Sequence, residues 1–159
     1  MKKIISPFTV IAALTLQLAI SGCKKNDSPS ETWTWKGTAY SSSSCTAGTG
    51  ASNGTLSVVS SSPQGSMQLL FLNGLPTGSG VDTVVAWGTA LTESQVSISL
   101  GAGSSTYYST GGNGSNQMVM VTVTNGKVAV ATIANSPVEL LNVASNSTDS
   151  SGVTFSISQ

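Results

Sequence analysis

The chain has no histidine and no arginine, and only 8% of its 159 residues are charged. Without histidine, a Ser-His-Asp or Cys-His nucleophilic arrangement is impossible, and zinc sites built on histidine go with it. Without arginine, and with lysines scattered, there is no basic patch to neutralise phosphates, so nucleic-acid binding is set aside. No Gly-Lys-Ser/Thr follows a strand-like run, so there is no P-loop. Gly48-Thr49-Gly50 with Asn53-Gly54 lacks the third glycine and the helix of a dinucleotide loop. Paired carboxylates are the remaining enzymatic route. Glu93 and Glu139 are the candidates, but no pattern joins them, so no catalytic residue, cofactor or metal is assigned and the chain is read as a non-enzyme.

What is present begins at the N-terminus. Lys2 and Lys3 precede an uncharged, mostly apolar run from Ile4 to Ile20, and Ser21 and Gly22 lead to Cys23. Charge, apolar run and small-residue exit make up an export signal. A permanent transmembrane helix is the competing reading, and Pro7 and Gln17 weigh against it. Ile20-Ser21-Gly22-Cys23 resembles the lipobox of the lipoprotein signal peptidase, which makes the cysteine an acylated N-terminus. Residues 1–22 are then a lipoprotein signal peptide and 23–31 a polar, lipidated tether. Lipid on Cys23 leaves Cys45 alone, so no disulfide framework forms, and Cys45 reads as a small buried hydrophobe.

From residue 32 to 159 the pattern is that of one β domain. Trp33 and Trp35, Leu56 and Val58, Met67 to Phe71, Val96 to Leu100, Val119 to Val123, Val128 and Val130, and Val153 to Ile157 recur at period two. Val81, Thr83, Val85 and Trp87 share one phase, taken as the apolar one. Asn125-Gly126 predicts a type I′ hairpin joining about 117–124 to 127–133. Ser136-Pro137-Val138-Glu139 has a helix-start spacing, but its β neighbours favour a strand through Leu140 and Leu141. About eight or nine short strands with frequent turns predict an immunoglobulin-like antiparallel β-sandwich, with a small lipocalin-like barrel as the alternative.

Large aromatics fill the space between packed sheets, so Trp33, Trp35 and Trp87 are expected in the core. Tyr40, Tyr107 and Tyr108 cannot all be inside, and they are the candidate ligand-binding residues, as a platform for sugar rings. Asn146, Asp149 and Ser150 place oxygen ligands in one loop, at a spacing that is not an EF-hand.

Several segments carry a resemblance. The lipobox with Cys23-Lys24-Lys25-Asn26-Asp27, Trp33-Thr34-Trp35-Lys36-Gly37, Tyr107-Tyr108-Ser109-Thr110-Gly111-Gly112 and Val123-Thr124-Asn125-Gly126-Lys127-Val128 look like those of small uncharacterised lipoproteins of Bacteroidota. The resemblance implies an envelope lipoprotein lipid-anchored in the outer membrane, periplasmic or surface-exposed. Its expected partners are the membrane and a glycan or envelope protein. Asp82-Thr83-Val84 resembles that group's O-glycosylation acceptor, and the expected strand phase buries Thr83, which would block modification of the folded protein.

Overall fold

The computed structural model describes residues 31–49, 53–111, 117–134 and 136–159, the side chains of 147–151 excepted. Cys23 and the export signal lie outside the described residues. Twelve strands follow along the chain: β1 (Glu31–Trp35), β2 (Thr38–Ser42), β3 (Cys45–Thr49), β4 (Asn53–Ser61), β5 (Gln64–Leu72), β6 (Gly80–Val84), β7 (Gln95–Ala102), β8 (Ser105–Ser109), β9 (Met118–Thr124), β10 (Lys127–Thr132), β11 (Val138–Asn142) and β12 (Ser147–Ser158). The fold is all-β and sandwich-like, as the period-two pattern implies. The strands beyond the expected eight or nine are β2, β3 and β8. Each turns only one or two sizeable side chains inward, Tyr40 in β2 and Tyr107 in β8 among them, so no apolar alternation marks it.

The main path of hydrogen-bonded strands is β2-β1-β12-β10-β9-β6-β7-β5-β4-β3. The path is open at β2 and β3, so the closed lipocalin-like barrel does not form. Among the described pairings only β6–β7 is parallel.

The sheet also forks. On the side of β7 away from β5, Val96 pairs with β6 and residues 99–102 pair with β8. On the side of β12 away from β1, residues 156–158 pair with β10 and Val153 with β11. Two bridges, β6-β9-β10 and β8-β11, therefore span from β7 to β12. Where they part, backbone rungs run out and side chains replace them. Ser109 Oγ accepts the Ile98 N–H at 3.0 Å and donates to the Val85 carbonyl at 2.7 Å. The Gln117 carbonyl accepts the Val84 N–H at 2.7 Å, and its Oε1 accepts the Glu139 N–H at 3.1 Å. Thr132 Oγ1 accepts the Phe155 N–H at 3.1 Å. A buried backbone group without a partner is costly, which accounts for a serine, a glutamine and a threonine at these three positions.

Both bridges turn an apolar face to one core. Val84, Val119 and Val130 come from one, Tyr107, Val138 and Leu140 from the other, and Leu56, Leu69 and Ile98 pack with them. The sheet rolls until β2 lies over β5, where the Tyr40 ring rests on Gly65. The Lys36-Gly37 turn places the Lys36 ammonium 5.5 Å from the Trp35 ring centroid and 5.6 Å from that of Tyr107, capping this end of the core.

The predicted hairpin is present, with Lys127 paired to Thr124 and φ of 53° at Asn125 and 75° at Gly126. β11 is a strand, as its neighbours favoured. The phase of β6 is a correction. Asp82 and Val84 face inward and Val81 is exposed, the reverse of the expected set. Cross-strand neighbours share a face of the sheet. Asp82 pairs with the buried Val119 and Val84 with the buried Val96, so the neighbouring strands impose the phase. Thr83 is consequently half-buried on the outer face, not in the core.

Candidate functional site

The three tyrosines singled out as a binding platform are not brought together. Tyr40 and Tyr107 are each only 7% exposed. Tyr40 stacks on Trp33 with ring centroids 5.2 Å apart, and Tyr107 meets Trp35 edge-on at 4.8 Å. Both belong to the core and cannot receive a ligand from solvent, a correction to their expected role. The reason is positional: each is the one large inward residue of a short strand whose other buried position is a serine. Tyr108, next to Tyr107, points to the opposite face as strand geometry requires, and it is half-buried there.

Tyr108 has a partner that the sequence pattern placed elsewhere. Trp87 was expected in the core and is instead half-buried outside it, stacked on Tyr108 at 5.1 Å with ring planes 8° apart. β6 ends at Val84, and the chain then swings past the end of β8, where the Trp87 N–H donates to the Ser109 carbonyl at 2.9 Å and Ala86 bridges Thr110. Rings this close leave no room for a sugar between them, so the pair offers at most an outer ring face.

A concave site lies at the end of the sandwich where β5, β6 and β7 meet. The β5–β6 connection and the turn before β7 enclose a pocket of about 420 Å³. That volume lies within the range of small-ligand sites. Asn73 and Ser94 hold φ of 56° and 58° and turn the chain sharply at the two sides. Ser79 ties the first loop down, its Oγ accepting the Val123 N–H at 2.8 Å, and the Thr83 N–H holds the Ser94 carbonyl at 2.9 Å. Leu75 and Pro76 supply apolar wall, and Asn73, Thr92 and Gln95 supply polar wall.

Asp82 lines this pocket. It is 9% exposed and has no hydrogen-bond or ion-pair partner among the described residues. Burial raises its pKa above the ordinary aspartate value of 3.8. Its oxygens are not among the fully buried, unpartnered polar atoms of the described residues, so the carboxylate still meets the water of the pocket. Glu93 lines the same pocket, and no lysine does. The sequence pattern missed Asp82 because a lone acid among Val and Thr reads as the wet face of a strand. The available signal was its position two residues before Val84, on the same face.

The remaining candidates separate. Glu93 borders the pocket, while Glu139 stands in β11 with its N–H bound to Gln117, and Glu139 is not part of the pocket lining. Cys45 packs partly buried against the core, as expected of a small hydrophobe. Burial, then the Glu31 carboxylate, push its thiol pKa up, which suppresses the reactive thiolate. Asn146 ends a turn with φ of 50°, but the side chains of Asp149 and Ser150 lie outside the described residues. Among the described residues no three His, Cys, Asp or Glu side chains gather as a metal site. Comparison of the chain with protein-family models, with curated proteins and with solved structures finds no match in any of the three.

Proposed function

We propose that the chain is a lipoprotein of the bacterial cell envelope, held by lipid on Cys23, whose β domain is a non-catalytic binding or scaffolding module. The anchor reading is supported by Lys2-Lys3, the apolar run and Ile20-Ser21-Gly22-Cys23. A single acyl chain holds a protein only marginally and two hold it stably, so a diacylated Cys23 suits a permanently tethered domain. The observation that carries the binding role is the pocket at the end of the sandwich, with Asp82 buried and unpartnered in its wall. Labelled fatty acid should enter the wild-type chain and not Cys23→Ser, which should accumulate as precursor. Labelling of Cys23→Ser would overturn the anchor.

A second reading, a carbohydrate-binding or adhesive module, is favoured by the half-buried Trp87–Tyr108 stack outside the core. Sugar rings pack on aromatic faces, and Tyr108 offers one outside the core. A glycan array with wild type and Tyr108→Ala decides it. Equal binding by both removes Tyr108 from any platform.

A further inference from the structure

Within the binding reading just given, the pocket lining narrows the chemistry of the ligand. We propose that this pocket takes a small organic amine, with its ammonium group against Asp82 and its carbon stem along Leu75 and Pro76.

Three observations support the assignment. First, most of Asp82 is buried and no protein donor reaches its carboxylate, so its oxygens are met by the water of the pocket or by a ligand. A charged donor offers it the most, because hydrogen bonds between ions are about twice as strong as neutral ones. Second, both ionisable side chains of the pocket, Asp82 and Glu93, are acids. An anionic ligand is repelled and a cation is drawn in. Third, the wall is mixed. A bare metal ion needs six to eight oxygen ligands around one point if it is calcium, whereas this pocket of about 420 Å³ holds two carboxylates and a partly apolar wall. Apolar wall has no role for a naked ion, but it covers the methylenes of an amine. The inner end near Asp82 takes the ammonium, and Glu93, itself exposed, draws the cation towards the mouth.

The test is a titration of the full chain with cadaverine and with 1,5-pentanediol, a neutral molecule of similar length, followed by amide NMR shifts. The expected result is saturable movement of the Val81–Thr83 and Thr92–Gln95 amides with cadaverine and none with the diol. Asp82→Asn should weaken cadaverine at least about tenfold, a single charge-assisted contact being worth about 1.5–3 kcal/mol. Glu93→Gln should weaken it by less, because Glu93 is solvated. Equal response to the diol, or undiminished cadaverine binding by Asp82→Asn, overturns the amine assignment. If neutral oligosaccharides move these amides and cadaverine does not, the assignment falls while binding at the pocket stands. If neither class moves them, the pocket fails as the binding site as well.

Discussion

Gly65 lets the Tyr40 ring of β2 lie directly on β5, and its replacement tests how the sheet closes on itself. A Cβ at position 65 would stand 2.6 Å from Tyr40 Cε1, 2.7 Å from Cδ1 and 3.1 Å from the Gly101 carbonyl oxygen. Real Cβ atoms do not tolerate the first two distances, so Gly65→Ala must displace the Tyr40 ring. That ring is 7% exposed and lies parallel to Trp33, 5.2 Å away, so moving it also disturbs a stacked pair. Overpacking of this kind costs about 1–3 kcal/mol, and partial loss of the stack adds about 0.5–1.5 kcal/mol. Gly65→Ala alone should therefore destabilise by about 2–4 kcal/mol. Tyr40→Ala removes the obstacle and should cost about 3–5 kcal/mol, as aromatic truncations in cores do. In that background Gly65→Ala should be nearly neutral, or stabilising by up to about 1 kcal/mol, since alanine loses less backbone entropy than glycine within a strand. Urea unfolding of the four chains in the double-mutant cycle measures this, with an expected coupling of at least about 2 kcal/mol. Equal cost of Gly65→Ala in both backgrounds would refute the packing of β2 over β5.

Further expectations concern the buried polar groups. Asp82 has its pKa raised by burial, so its ionisation opposes folding: the stability it leaves intact below the unfolded value of 3.8 is lost as pH rises through the higher folded value. Asp82→Asn should thus raise the denaturation midpoint at pH 7 and match wild type below pH 3.8, and a lower midpoint at pH 7 would contradict this. Ser109→Ala leaves the Ile98 N–H and Val85 carbonyl without their side-chain partner. It should cost about 1–3 kcal/mol and speed hydrogen exchange at Ile98. Unchanged exchange there would show that Ser109 does not close the fork. Cys45 should alkylate slowly at pH 8, and Glu31→Gln should quicken it by removing the carboxylate that disfavours the thiolate. No change in rate would dismiss the electrostatic contribution.

Local chemistry was enough to specify a good part of the molecule. Asn125-Gly126 determines a hairpin because both residues accept positive φ and the flanking valines alternate. Trp33 and Trp35 are core because a half-buried strand turns every second residue inward. The charged, apolar and small residues around Cys23 are what the anchor proposal rests on, and they lie outside the described residues. The candidate site was much less legible. For β6 the local pattern favoured Val81, Thr83, Val85 and Trp87 as the buried set, yet register against Val96 and Val119 turned Asp82 and Val84 inward. Tyr40 and Tyr107 looked available for binding until the rolled sheet enclosed them. Only the tertiary structure could place Ser109, Gln117 and Thr132 at the fork or bring residues 71–82 and 92–95 around one pocket. The physical reason is the same in each case. Alternation along a strand marks two faces, but the strands on either side decide which face becomes the interior.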